Sequence, residues 1–316
     1  QEKARQISIN ATLLPIEMDN HKVNLLDCPG YRDFIGEIKN AIRIAELCLV
    51  VVDAETGVEV GTEFAVQFSQ EYNIPVAVAI NKMDKERANF SSAMQSIDEA
   101  FDAHTIPVTL PIGEGPDFKG VVDLLDMKAI LYENGKRTEG DVPEDMKEQA
   151  EEARRALIEA AAEGDDELTE KFLEEETLSD EELRRGLRED LQGGSFIPVV
   201  CCSADKEWGL QGLIHFILEE CPSPDQRPGI LACKDPKNPE EGAELKKIDP
   251  DAPASGFVFK TVNDDYAGRL SLFKAVTGSF SGDGMIQNNN NGEQMRAGHV
   301  FALRGKQQVS VDKINA

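Results

Sequence analysis

The sequence predicts an α/β fold, with a parallel sheet flanked by helices, an acidic helical insertion and, at the end, a small antiparallel barrel. Three observations carry this. The runs 47–53 (LCLVVVD) and 76–81 (VAVAIN) are continuous and β-rich, the pattern of parallel strands buried on both faces. Apolar residues between such runs recur with helical period, so strand and helix alternate. Beyond residue 255 the runs become short and are separated by glycine-rich turns, as in an antiparallel barrel.

In chain order, 11–17 and 22–27 read as two adjacent strands around a turn at Asp19-Asn20. Ile35, Ile38, Ile42 and Ala45 then fall on one helical face. The strand 47–53 follows, then a helix marked by Phe64, Phe68 and Tyr72, the strand 76–81, and a helix marked by Phe90, Met94, Ile97 and Phe101. From 111 to 132 the pattern is strand and loop. The block 139–192 holds 21 acidic and 7 basic residues but keeps apolar marks at Leu157, Leu168, Phe172, Leu183, Leu187 and Leu191, so it reads as folded helices. Two readings of its charge stand: solvated faces that happen to be acidic, or a docking surface for a basic partner. A fifth buried strand, 197–202, precedes a helix carrying Leu210, Leu213, Ile214, Ile217 and Cys221, which Pro222 ends. The proline-dotted stretch 227–254 is a linker or covering segment, and 256–261, 268–277, 284–288 and 299–303 are the barrel strands.

Composition narrows the function classes. The chain has 316 residues, 41% apolar and 29% charged, enough for two or three domains with real cores. No apolar run approaches the ~18 residues that would span a bilayer, and residues 1–5 do not resemble a signal peptide. Six cysteines in a chain of this size are not a disulfide framework, which points to reduced thiols and a cytoplasmic protein. None of the four histidines pairs with a cysteine at zinc-ligand spacing. The net charge of -26 argues against grip on DNA and leaves a basic protein, or RNA met through a local patch, as the partner. No membrane partner is expected.

Three short motifs end buried strands. Asp27-Cys28-Pro29-Gly30 places a carboxylate and a glycine where parallel sheets build phosphate sites; Asp27 can join a Mg²⁺ shell while the Gly30 N–H meets a terminal phosphate. Alone, this tetrapeptide reads first as an ordinary turn. Asn81-Lys82-Met83-Asp84, 54 positions on, changes that reading. An ionised Asp84 is acceptor-only, so it takes the two N–H donors on the edge of guanine and rejects adenine. Asn81 adds an amide, and the Lys82 stem can cover the base. Ser203-Ala204 follows the third strand, where a small residue lets a backbone N–H approach the guanine oxygen.

With these residues in hand, the chain resembles translational GTPases of the elongation factor G family over essentially its whole length. Asp27 to Gly30 resembles the D-x-P-G of switch II, Asn81 to Asp84 resembles N-K-x-D, and Ser203-Ala204 resembles S-A. Arg5-Gln6-Ile7-Ser8-Ile9 resembles the end of switch I, with Ser8 where a Mg²⁺-binding threonine stands. The stretch 58–63 (VEVGTE) and the tyrosine after Gly30 are closer to the family's elongation-factor-G-like second branch.

The resemblance implies a P-loop-NTPase-like G domain over 1–225 with an insertion at about 111–194, a linker at 226–255 and part of a β-barrel at 256–316. It also implies GTP/GDP and Mg²⁺ as ligands, with Ser8 and Asp27 as metal residues. Asp27, Pro29, Gly30, Asn81, Lys82, Asp84, Ser203 and Ala204 would bind the nucleotide. The ribosome (stalk protein and rRNA) is the implied partner, and a monomer is expected.

Two departures from the family pattern bear on the phosphate chemistry. No G-x-x-x-x-G-K-[ST] occurs, and the strand that would carry it is missing with it, so further residues before Gln1 and after Ala316 are expected in the natural protein. Tyr31 stands where the family places the histidine that orients the attacking water, and a phenol of pKa ~10 is a poor base. Ribosome-dependent GTP hydrolysis is therefore the leading expectation, and a non-hydrolysing guanine-nucleotide or ribosome-binding module is the alternative.

Overall fold

The computed structural model describes residues 2, 7–101, 104–133, 135–233, 238, 243–264 and 268–316. Arg5 and Gln6 of the switch-I-like motif, and Pro236 and Pro239 of the linker, lie outside them. The chain divides into two compact units, one formed by Gln1–Glu46 with Pro222–Ala316 and the other by Leu47–Cys221.

The first unit opens on β1 (Thr12–Met18) and β2 (His21–Asp27), an antiparallel pair in which Thr12 faces Asp27. Asp19 and Asn20 both take positive φ (50° and 61°), the geometry of a two-residue hairpin turn whose twist suits the strands. A 3-10 turn, Arg32–Phe34, leads into α1 (Ile35–Ile42), which buries Ile38, Ala41 and Ile42.

The second unit holds β3 (Cys48–Asp53), α2 (Val60–Tyr72), β4 (Val76–Asn81), α3 (Phe90–Ala100) and β5 (His104–Pro107). Next come β6 (Thr109–Ile112), β7 (Gly120–Asp123), β8 (Lys128–Glu133) and β9 (Lys136–Asp141), an antiparallel sheet in that order. The acidic block follows as α4 (Lys147–Glu163), α5 (Asp166–Glu175) and α6 (Asp180–Gly193), although its first residues, Glu139 to Asp141, belong to β9. β10 (Phe196–Cys201) and α7 (Leu210–Glu220) complete the unit.

The expected parallel sheet is present, in the order β3-β4-β10-β5. Its middle strands are sealed from water: Val78, Ile80 and Val199 are 0% exposed, and Ile97 of α3 is equally buried in the same core. β3 is an edge strand of this sheet among the described residues, and its Val51 is 58% exposed.

Local chemistry explains the insertion. Asp165 caps α5 by accepting from the Glu167 and Leu168 amides, and Ser179 with Glu182 forms a capping box on α6. A Cβ at Gly186 would stand 2.0 Å from the Ala161 carbonyl oxygen, so only glycine lets α6 approach α4 this closely. Arg184 then ties α6 to Asp126, Glu219 and the buried Glu220.

The first unit resumes with β11 (Ile230–Ala232) and β12 (Glu244–Lys246), a short antiparallel pair inside the proline-dotted stretch. The long hairpin β13 (Ser255–Asp264) and β14 (Gly268–Thr277) follows, then β15 (Ser279–Ser281), β16 (Met285–Gln287), β17 (Gln294–Arg296), β18 (Phe301–Arg304), β19 (Gln307–Ser310) and β20 (Lys313–Asn315), all in antiparallel pairs. Within this unit the Gly305 amide donates to Leu13 of β1, Lys260 reaches Glu37 of α1 at 2.6 Å, and Lys274 bonds the Ile44 carbonyl and Glu46. The guanidinium of Arg43 lies 4.5 Å over the ring of Phe257.

The units differ sharply in charge. Leu47–Cys221 carries 40 acidic and 15 basic residues, and the other unit 19 and 18, so nearly all of the excess belongs to one of them.

Candidate functional site

The C-terminal ends of β3, β4 and β10 gather a polar constellation in the second unit. β4 is buried along its length, so its last residue, Asn81, emerges at a fixed point on the sheet edge. The Asn81 Oδ1 accepts from the Lys82 amide (2.8 Å), from the Ala204 amide (2.9 Å) and from the Cys202 thiol (3.7 Å). Two backbone bonds lock the loops after β4 and β10 together, Met83 N–H to Cys202 O (3.2 Å) and Cys202 N–H to Ile80 O (2.9 Å). Met83 is fully buried and anchors the motif from below.

Asp84 sits beside this anchor with its side chain 8% exposed. Its Oδ1 accepts from the Ser203 hydroxyl at 2.6 Å, and the Lys85 ammonium stands 3.3 Å from Oδ2. Burial pushes this carboxyl up, but the Ser203 hydroxyl and Lys85 outweigh it and hold it below the usual carboxylate range. A carboxylate has about four lone-pair directions, so roughly two remain for a ligand's N–H groups. Ser203 is itself fully buried and braced by reciprocal backbone bonds with Trp208, whose ring stacks on Tyr132 at 5.9 Å. Gly209, at φ +81°, lets the chain turn into α7 where a Cβ would meet the Cys201 carbonyl at 2.8 Å.

Lys82 adopts φ +65°, an unusual conformation for a non-glycine residue. Its ammonium pairs with the Asp53 Oδ2 at 2.6 Å, and Asp53 Oδ1 in turn accepts from the Glu55 amide at 2.9 Å. Asp53 lies directly across the ladder from Asn81. The Asp53 contact raises the Lys82 ammonium above its ordinary value; burial works to raise Asp53, and Lys82 with the turn amides overcomes it, keeping that carboxyl low.

The structure thus brings Asn81, Lys82, Asp84, Ser203 and Ala204 into one place. Ser8, Asp27, Pro29, Gly30 and Tyr31 belong to the other unit. There Asp27 ends β2 with its side chain exposed, Pro29 is buried, Gly30 is open, and Tyr31 is extended and 56% exposed. Ser8 is half-buried in a segment that is followed by the Ala11 amide donating to Glu37 of α1 at 2.7 Å. Asp27 and Ser8 offer the hard oxygen donors that suit Mg²⁺, which keeps most of its shell for water and phosphate. Among the described residues no group of three or more His, Cys, Asp or Glu side chains converges as a metal cage.

Sequence reasoning passed over Asp53 and Lys85. The signal for Asp53 was present: LCLVVVD and VAVAIN end in register, so a polar residue at each end shares one edge.

Comparison with known proteins gives a family match and a structural match. Residues 1–223 match the family described as the elongation factor Tu GTP binding domain. A crystal structure of a protein from Thermus thermophilus aligns with all of this chain at a TM-score of 0.83 and 30% identity. The chain spans 44% of that protein's length. A family match over residues 1–223, on a chain whose buried strands end in the three motifs described, leads to one assignment: the chain belongs to the elongation factor Tu GTP-binding domain family.

Proposed function

We propose that this chain is the guanine-nucleotide-binding part of a ribosome-dependent GTPase of the elongation factor G type, of its elongation-factor-G-like second branch. The observation that carries the reading is the Asp84 carboxylate, ionised, anchored on Ser203 and left with two acceptor directions, beside an Ala204 amide fixed by Asn81. In this role Asp84 takes the two N–H donors of guanine, Ala204 faces its oxygen, and Lys82 covers the base. Adenine would leave the covered Asp84 carboxylate without these donors, a loss that discriminates by several powers of ten.

Asp27, Gly30 and Ser8 would serve the phosphate end, with Pro29 shaping the turn. Ser8 and Asp27 would hold Mg²⁺, which when bound neutralises phosphate charge. Tyr31 can donate a hydrogen bond to water but is a poor base, so slow intrinsic hydrolysis is expected. The reading also divides the chain into a G domain at 1–225 with an insertion at about 111–194, a linker at 226–255 and a barrel segment at 256–316. The acidic insertion suits a basic ribosomal stalk element, rRNA would meet the less charged unit, and the protein would act as a cytoplasmic monomer. Among the described residues no helix is long and apolar enough to cross a membrane.

Tyr31 also favours a second reading, a guanine-nucleotide-dependent ribosome binder that does not hydrolyse. Release of phosphate from GTP, with and without ribosomes and with ATP as control, tests both. Ribosome-stimulated, GTP-specific release supports the first reading. Nucleotide-dependent ribosome binding without phosphate release, unchanged in Tyr31→His, supports the second. A large gain in Tyr31→His marks Tyr31 as the position of a weakened catalyst.

A further inference from the structure

The ion pair between Asp53 and Lys82 is built more deliberately than a surface salt bridge. Exposed pairs of this kind are usually mobile and contribute little. Here both partners are fixed from their backbones outward. Asp53 is the last residue of β3, and its carbonyl accepts from the Gly57 amide at 2.8 Å, closing a tight turn. Its Oδ1 is occupied by the Glu55 amide, which leaves Oδ2 aimed across the sheet edge. Lys82 is held at positive φ by Asn81, whose Oδ1 accepts the Lys82 amide. The Ala54 amide donates to the Asn81 carbonyl at 2.9 Å, so the ends of β3 and β4 are tied together directly beneath the pair.

Exposure is divided between the partners in a telling way. The Asp53 side chain is 20% exposed and the Lys82 side chain 50%. The anchor is covered, and the aliphatic stem that runs to it stays open at the same edge as Asp84 and Ala204. Two further carboxylates, Glu55 and Glu59, act on Lys82 through the field, yet only Asp53 touches it. Glu55 accepts from the Arg87 amide, and Glu59 from the Thr56 hydroxyl.

We infer that Asp53 is a positioning residue for base recognition: it pins the Lys82 ammonium so that the lysine stem lies flat as the surface on which a guanine base rests. This rests on the reading of Asp84 as the guanine acceptor. Asp53 itself touches no ligand. It acts through Lys82, and it neutralises an ammonium that the bound base would otherwise partly desolvate.

The test is guanosine binding to the protein, followed by ligand-observed NMR, with adenosine as control and the thermal midpoint recorded on every sample. Guanosine is used because it reports on the base site alone. Asp53→Asn is expected to weaken guanosine binding about tenfold, and Lys82→Met to do the same. The double variant is expected to bind no worse than Lys82→Met, and Asp53→Glu to recover much of the loss. Any weak adenosine binding, which would rest on the same stem, is expected to fall in parallel, because the stem carries no group that distinguishes the two bases. A general loss of structure would lower the midpoint and would add to the effect of Lys82→Met. The inference is overturned if Asp53→Asn binds like the parent, if its loss persists in the Lys82→Met background, or if Asp53→Glu recovers nothing. Asp84→Asn separates the two levels. If the parent shows no preference for guanosine, or Asp84→Asn leaves that preference intact, the guanine reading falls and the inference with it. If Asp84→Asn abolishes the preference while Asp53→Asn has no effect, only the inference falls.

Discussion

Replacing Asp190 by asparagine should stabilise the protein, and only above about pH 5. Asp190 lies in α6 with 2% exposure, and its Oδ2 is buried with no hydrogen-bond partner. Burial raises its carboxyl from 3.8 to about 6, against the Gly164 amide that favours the ionised form, and Glu163 and Glu189 add to the rise. Each unit of pKa is about 1.4 kcal/mol, so at neutral pH the ionised carboxylate costs the fold about 3 kcal/mol. In the unfolded chain the group ionises near 3.8; between there and about 6 the folded state binds more protons. Stability from this group is therefore present at low pH, falls as pH rises through that window and is level above it. Asparagine keeps an oxygen for the Gly164 amide but adds an unpartnered N–H, which costs roughly 1 kcal/mol. The net gain is about 2 kcal/mol at pH 7.5, fading to nothing or a slight loss near pH 4.5. Urea denaturation of both proteins at four pH values between 4.5 and 7.5 reads this difference. A difference that does not vary with pH, or a variant less stable at pH 7.5, refutes the argument.

Other expectations follow from single contacts. Gly186→Ala drives a methyl into the Ala161 carbonyl at 2.0 Å and should cost about 1–3 kcal/mol, visible as a lower urea midpoint. Arg184→Met strands Glu220, which is 1% exposed and keeps only Arg188 at 3.2 Å; a loss of about 3 kcal/mol is expected, recovered in part by Glu220→Gln. Burial raises the Cys201 and Cys202 thiols to about 12 and pushes Cys221 and the half-buried Cys48 up as well, so brief iodoacetamide treatment at pH 7.5 should label the other two half-buried thiols, Cys28 and Cys233, first, as read by peptide mass.

The parts of the fold legible in the sequence were those with a strong apolar signal. β4 was read to the residue, because five buried apolar positions in a row, closed by a polar Asn81, cannot be mistaken for an amphipathic element. β9 could not be read: all six of its side chains are exposed, and it exists only because β8 offers a ladder to pair with. β5, four residues ending in a proline, is too short to show a period. The small strands β15, β17, β19 and β20 were likewise invisible, each a pairing made by its neighbours rather than by its own composition. At the site, the position of Asp84 at the sheet edge followed from its place after a buried strand. The partners that set its charge, Ser203 and Lys85, needed three-dimensional proximity across more than a hundred residues in one case, and a side-chain direction in the other.

The uneven split of charge gives the molecule a readable ionic signature. A polyanionic surface repels the unit spanning Leu47–Cys221 and is nearly indifferent to the unit formed by Gln1–Glu46 with Pro222–Ala316. Salt shields that repulsion, so an attachment to RNA made by the nearly neutral unit should tighten or hold steady as salt is raised from low values, the reverse of an ordinary nucleic-acid binder. An attachment of the acidic unit to a basic protein should weaken over the same range. One titration with potassium chloride therefore tells which face of the chain is engaged, without a single mutation.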